Sequence, residues 1–314
     1  MSYQETTPAP CKSKPESSNS SSSLQIAIIG GGRIGSAFAL YLIQIGHHDV
    51  TIVARPFSKR LKELERDGGI ITSDGRYAPA TITSSFDENI PYDLVLVTVL
   101  GHQVGGILPS LHRSAAKSIH FLFNTFNPEY LQESVGGGRG VLGMPFIQSN
   151  IDPNGRVNAA VGQGGQKTLT SDPKWAKVFQ SAGLPAQYEG EMALWLRCHV
   201  PLCVAFESVC VTGERRGGGA PWRSAYAVAL GLRASFSLIA SQGHEIYPRS
   251  KAFLRWLPVT VVASMLWILS RINSFRILLA TGENECCALV DTMVASAAKK
   301  EGSADYKAIL AMKP

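Results

Sequence analysis

The chain has 314 residues, which leaves room for two domains, and its 45% hydrophobic and 17% charged content marks a globular protein rather than a disordered one. A net charge of +6 is mild for this length and is spread without a long Lys/Arg run, so nucleic acid is not an expected partner. The six cysteines, at 11, 198, 203, 210, 286 and 287, form no C-x-x-C pair and lack an accompanying His spacing, so no metal site is expected and reduced thiols in a cytoplasmic protein are.

The first 23 residues are polar and serine-rich, with Ser17-Ser18-Asn19-Ser20-Ser21-Ser22-Ser23, and contain no apolar core of a signal peptide; a disordered tail over 1–23 is predicted. Leu24 to Ile29 then reads as a buried strand running into Gly30-Gly31-Gly32-Arg33-Ile34-Gly35 and the apolar run Ala37 to Leu42. Gly30, Gly32 and Gly35 fall on G-x-G-x-x-G between a strand and a helix. The first glycine permits the tight turn, the second lets a pyrophosphate approach the backbone, and the third lets helix and strand pack closely. All six residues, Gly30, Gly31, Gly32, Arg33, Ile34 and Gly35, are therefore candidate dinucleotide contacts, with phosphate at the positive helix terminus. The second strand, Val50 to Ala54, ends in Arg55. An acid there would take a ribose 2′-hydroxyl; an arginine suits a 2′-phosphate, so NADP is the expected cofactor, with Lys59 and Arg60 adding positive charge nearby.

Lys59 to Glu65 reads as a short helix and Gly68 to Thr83 as a hairpin excursion with turns at Gly68-Gly69 and Asp74-Gly75. Strands are predicted over Asp93 to Val99, Ser118 to Phe123, Val141 to Met144 and Val157 to Val161, and a helix over Pro173 to Ser181. Strands alternating with helices indicate an α/β fold with a doubly wound parallel sheet. Beyond Glu189 the pattern turns helical, over Glu191 to Val211, Trp222 to Gln242, Ser250 to Ser270, Phe275 to Ala280 and Glu285 to Lys300. The division is then a Rossmann-type domain over 24–188 and an all-helical domain over 189–314 that serves substrate binding and leaves a homodimer open. The longest apolar run, Trp256 to Ser270, is short of the roughly 20 residues that span a bilayer, contains Pro258 and is flanked by Arg255 and Arg271. It is predicted as a buried helix, with no stable membrane insertion.

These residues resemble the ketopantoate reductase family (2-dehydropantoate 2-reductases and their relatives) over nearly everything after residue 24. The resemblance rests on the glycine loop, on Val53-Ala54-Arg55, on Leu94 to Thr98, on Phe123-Asn124-Thr125-Phe126, on Gly143-Met144-Pro145-Phe146, on Ala193 to Arg197, on Gly243 to Pro248 and on Glu285. It implies NADPH and a 2-oxo acid meeting in a cleft between the two domains. It also implies a departure. Two residues after the tryptophan the family's reductases place a lysine that stabilises the reacting carbonyl, followed by asparagines at four-residue intervals; here those positions hold Arg197, Pro201 and Ala205.

Reducing a carbonyl creates an oxyanion that must be stabilised and protonated. Arg197 can stabilise it, or bind a carboxylate bidentately, but is too basic to give up a proton. His199 has the ordinary pKa for that task. Residues two apart on a helix point about 200° apart, so the two should not share a pocket unless Pro201 turns the helix. His199, Cys203 and Glu207 lie on one helical face and form an alternative polar stripe. The catalytic candidates are therefore Arg197, His199 and Glu285; Asn124 and Glu207 are expected at the substrate, with Asn124 also placed at the cofactor by its position past a strand end. The expected activity is NADPH-dependent reduction of a small carbonyl substrate, a 2-oxo acid or related ketone. Two alternatives stand beside it: an NADP(H)-binding sensor or interaction protein with a decayed site, and an imine- or opine-type oxidoreductase.

Overall fold

The computed structural model describes residues 23–297 and 302–314. The predicted tail lies outside these apart from Ser23, whose hydroxyl donates to the His47 carbonyl at 3.0 Å. The chain opens with β1 (Gln25–Ile29), α1 (Arg33–Gln44), β2 (Asp49–Val53), α2 (Lys59–Asp67), β3 (Gly69–Ile71), β4 (Tyr77–Pro79) and β5 (Thr81–Thr83). Then come β6 (Leu94–Val97), a 3-10 turn (Gly101–Gly106), α3 (Leu108–Arg113), β7 (Ile119–Leu122), α4 (Pro128–Val135) and β8 (Gly140–Met144). The α/β part closes with β9 (Ile147–Ile151), β10 (Val157–Val161), β11 (Thr168–Thr170), α5 (Pro173–Ser181) and β12 (Ala186–Tyr188).

Eight of these strands form one sheet in the order β12-β11-β8-β7-β6-β1-β2-β5. All neighbours are parallel except β11 against β8. The near-continuous apolar runs make sense in this setting, because a parallel strand is covered on both faces: Ile26 to Ile29 of β1 and Leu94 to Val97 of β6 are all buried. One face packs α1 and α5 through Phe38, Leu40, Leu42, Trp175 and Phe179. The other packs Val95, Val97, Phe121 and Leu131, and there Met192, Trp195 and Leu196 from the following helix join the same core. The chain winds outward from β1 to β2 on one side and from β6 to β7 on the other. The reversal puts a crevice beyond the carboxyl ends of β1 and β6, where open α/β sheets bind ligands.

Two segments differ from the sequence expectation. The excursion after Gly68 yields a β3–β4 hairpin, but Thr81 to Thr83 leave it and join the main sheet parallel to β2. Val157 to Val161 do not enter the main sheet; they pair antiparallel with β9, because the Asp152-Pro153-Asn154-Gly155 turn closes a separate two-stranded ribbon.

The helical part comprises α6 (Met192–Arg215), α7 (Trp222–Ser241), α8 (Arg249–Trp256), α9 (Val259–Leu269), α10 (Asn273–Leu279), α11 (Glu283–Ser296) and α12 (Ala304–Leu310). Its core joins Val204, Val209, Phe236, Ile239, Leu266 and Met293. By length and composition α6 and α7 could each cross a membrane, but 78% and 56% of their apolar windows are buried within the protein. The helix predicted over Ser250 to Ser270 is instead broken at Leu257-Pro258, with α8 and α9 bent by 113°. Proline lacks the amide a continuous helix needs and disfavours helical geometry in the residue before it. Only one face of α9 is buried, through Val262, Ala263 and Leu266; Phe253, Trp256, Val261, Met265 and Ile268 stay exposed.

Candidate active site

The glycine loop at the end of β1 is shaped by contacts that only glycine permits. Gly30 has φ +111°, and a Cβ there would sit 2.9 Å from Thr98 Oγ1. A Cβ on Gly35 would lie 1.9 Å from the Gly30 carbonyl oxygen, so α1 presses directly onto the loop. The Thr98 hydroxyl donates to that same carbonyl at 2.8 Å and ties β6 to the turn. Gly31 is buried and Ile34 packs against the sheet, while Gly32 and Arg33 face outward at the first turn of α1. A Cβ on Gly32 would meet nothing within 4 Å. The cradle is therefore open on the side where the unpaired amides of a helix start point, and α1 carries no acid in its first turn. That fits the phosphates of a dinucleotide.

The three cations beyond β2 divide the work. Arg55 is exposed, and its side chain makes no hydrogen bond or ion pair among the described residues. Lys59 donates to the Pro153 carbonyl at 2.8 Å and pairs with Glu63. Arg60 is spent on the fold: it donates to the Gly31 carbonyl (2.9 Å), the Gly155 carbonyl (2.8 Å), the Ser36 hydroxyl (3.0 Å) and Glu63 (3.1 Å). Of the positive charge expected here, only that of Arg55 stands ready for a ligand.

At the crevice, Asn124 follows β7 and is buried. Its amide Nδ2 donates to Glu285 Oε1 at 3.3 Å, and its Oδ1 accepts from Cys203 Sγ at 3.6 Å. Two predicted residues 161 positions apart in sequence thus meet across the domains. Glu207, one turn beyond Cys203, is also buried and has no hydrogen-bond partner at Oε2. Burial first, and the Glu285 charge second, push its carboxyl up to about 9, so it holds a proton at neutral pH. Burial likewise raises Glu285, opposed by the Asn124 amide and by His102. Cys203 is a thiol, raised well above the ordinary range by burial and by both carboxylates.

His199 completes this face, and its predicted role needs correcting. Its ring lies 4.3 Å from that of Trp195 and 6.3 Å from that of Phe146. Burial, assisted by the nearby Lys251 charge, lowers it to about 3. At neutral pH it is a neutral imidazole able to donate one N–H, not the acid with a pKa near 6.5 that its residue type suggested. Its Nδ1 has no partner.

Arg197 does not share the stripe. It is buried, with Nε donating to the Phe126 carbonyl at 3.3 Å, one terminal nitrogen 2.9 Å from His244 Nε2 and the other bonded to Glu129 on α4. All three nitrogens of its guanidinium are engaged, and it braces α6 against α4 rather than standing free for an oxyanion. The physical reason is the helix rotation noted above. Pro201 leaves α6 continuous over its whole length and so does not turn His199 and Arg197 to one side. Ala205 points into the helical core.

One residue was not anticipated. Lys251 on α8 is buried, donates to the Trp195 carbonyl at 3.2 Å and places Nζ 3.9 Å from the centre of the Trp195 ring. Burial lowers it to about 8. Nothing local in Arg249-Ser250-Lys251-Ala252-Phe253 distinguishes it from a solvated lysine; only the break at Pro258, which folds α8 back onto α6, makes it interior.

The sequence matches the family model described as ketopantoate reductase PanE/ApbA over residues 26–170. The 2-dehydropantoate 2-reductase of Bacillus subtilis (strain 168) is 34% identical over 101 residues, 32% of this chain, and the match spans about a third of that relative's length (33%). The ketopantoate reductase of Ralstonia eutropha JMP134 superposes over 92% of this chain and 96% of its own with TM-score 0.68 at 16% identity. D-mandelate dehydrogenase, solved with NADH and anilino(oxo)acetate, superposes over 92% and 98% with TM-score 0.65 at 15% identity. At such identities the structural likeness shows the fold, and it extends through the helical part that the family model does not cover. Over residues 26–170 this chain is thus similar to the ketopantoate reductases, and its two-domain architecture is the fold of those solved structures.

Proposed function

We propose that the protein is an NADPH-dependent reductase of a small carbonyl substrate, a 2-oxo acid or related ketone, and that it works in the cytoplasm. The observation that carries this reading is the Asn124–Glu285 pair, held at 3.3 Å beyond β7, two strands from the glycine loop at the end of β1. When bound, the nicotinamide supplies the hydride. Gly30 to Gly35 hold the phosphates, Asn124 and Glu285 orient the substrate, and the closed wall of Trp195, Phe146 and His199 keeps water away from the reacting carbon. The buried carboxyls of Glu207 and Glu285 favour one second reading, an imine substrate, whose protonated nitrogen would draw their ionised forms and release the proton that burial holds on Glu207.

A cofactor-oxidation assay across 2-oxo acids, ketones and imines tests the proposal. Oxidation of NADPH with a carbonyl acid is expected; oxidation with imines alone would select the second reading, and none with any substrate would leave a nucleotide-binding protein without reductase activity. Ketopantoate itself should be a poor substrate, with kcat/KM below the ~10⁴ M⁻¹s⁻¹ floor of good enzymes, because Arg197, Pro201 and Ala205 stand at the positions of the family's Lys-Asn-Asn stripe. Turnover above that floor would refute this.

Cofactor choice follows from Arg55. NADPH should bind tighter than NADH by about tenfold to a hundredfold, the worth of one or two charge-assisted hydrogen bonds. Arg55→Asp should reverse the order, since a carboxylate repels the 2′-phosphate and accepts from the 2′-hydroxyl. Titration of both nucleotides into both proteins checks it; equal affinities in the unaltered protein would be the contrary result.

A further inference from the structure

Lys251 is 8% exposed, yet among the described residues no carboxylate forms an ion pair with it. An ammonium has three N–H donors. One is used on the Trp195 carbonyl, and the ring face of Trp195 adds attraction without accepting a directed bond. The titratable groups facing it are Cys198, His199 and Cys203 from α6 and Glu189 from beyond β12. The two cysteines are protonated thiols and His199 is neutral. Glu189 is held by the Tyr247 hydroxyl at 3.0 Å. A buried cation left this way costs stability, and a methionine would fill the same space without that penalty. What the position lacks is an anion. It also adjoins the cleft: Trp195 and His199, against which Lys251 lies, begin the face that Cys203 carries on to Asn124.

We propose that Lys251 binds the substrate in this cleft, its ammonium taking an oxygen of a small 2-oxo acid in place of the lysine the family carries two residues after the tryptophan. For its chemistry this rests on the reductase reading above. As hydride forms the new C–H bond, the C=O π pair becomes an alkoxide lone pair. Lys251 passes a proton from Nζ to that oxygen, and the neutral amine regains one from water. Burial brings its pKa to about 8, which suits a lysine to that exchange.

The test is binding of oxamate, a 2-oxo acid mimic that is not reduced, to the full-length protein with and without NADPH, followed by calorimetry. The unaltered protein should bind it. Lys251→Met should weaken binding by about 30-fold, the loss of a charge-assisted hydrogen bond, while Lys251→Arg keeps most of it. Lys251→Met should also melt no lower than the parent, since a merely structural lysine would be missed and a functional one would not. Independently of any variant, affinity in the parent should fall as pH rises through about 8, where the ammonium is lost. No oxamate binding by the parent, unchanged binding by Lys251→Met, or an affinity flat across that pH range would each overturn the assignment. The reductase reading fails separately: oxamate would bind, but no carbonyl substrate would oxidise NADPH.

Discussion

Gly32→Val abolishes nucleotide binding, by at least about 100-fold or roughly 2.7 kcal/mol, while the protein melts as before. The added side chain grows into open space: a Cβ at this position meets nothing within 4 Å, and the residue sits at φ −72°, ψ −163°, extended backbone that valine favours. That open space is where the proposed cofactor's pyrophosphate would approach the amides of α1. Gly35→Ala gives the contrast. Its Cβ would land 1.9 Å from the Gly30 carbonyl, so it should lower the melting temperature as well as the affinity. Cofactor titration beside thermal melts separates the two. Full binding by a folded Gly32→Val protein would place the nucleotide elsewhere.

Glu207→Gln stabilises the protein, increasingly so as pH rises. In the unfolded chain Glu207 ionises near 4.5, while in the folded protein it stays protonated up to about 9. Between those values the unfolded state binds fewer protons than the folded one, so stability falls with rising pH. At pH 7 the loss amounts to roughly 3 kcal/mol for this group, an order-of-magnitude figure. Glutamine keeps the shape and cannot ionise, so it escapes the loss. Urea unfolding at pH 5 and pH 8 should show little difference between the two proteins at the first and a clear advantage for glutamine at the second. Equal midpoints at both pH values would mean that the carboxyl reaches solvent. A natural residue that destabilises its fold at neutral pH, within reach of the Glu285 charge, is the pattern expected where stability is given up for function.

Sequence made the first half of this architecture legible because its signals are local. β1, the glycine loop and α1 follow one another without interruption, and each residue type has a single good reason to be where it is. The short strands β11 and β12 and the helices α3, α4 and α12 went unassigned. Their three to eight residues carry too little periodicity to compete with loop readings, and long-range pairing decides them. The site split along the same line. Asn124 and Glu285 were readable because the family pattern names both, and the stripe of His199, Cys203 and Glu207 because helical spacing groups it. Counting two residues on from Trp195 led to Arg197 and away from the cleft; rotation about α6, fixed by the packing of Trp195 and Leu196 on the sheet, settled which face looks inward. Lys251 was illegible for a stronger reason. Its burial depends on a bend between two helices, and no property of its own neighbours in sequence records that bend.

The bracing of the glycine loop by Arg60 has a consequence for how this protein can change. Arg60 joins the loop carbonyl of Gly31, the α1 hydroxyl of Ser36 and the Gly155 carbonyl of the β9–β10 ribbon, so the turn's rigidity is set by a residue that never needs to touch the nucleotide. The side chain of Arg55, five positions earlier, is exposed and bonds to none of the described residues. If Arg55 selects the nicotinamide cofactor as proposed, selection can exchange one for the other at a single exposed position without reopening the packing of the turn, whereas substitutions at Arg60 would be tested first as folding mutations. Two arginines five residues apart thus evolve under different rules.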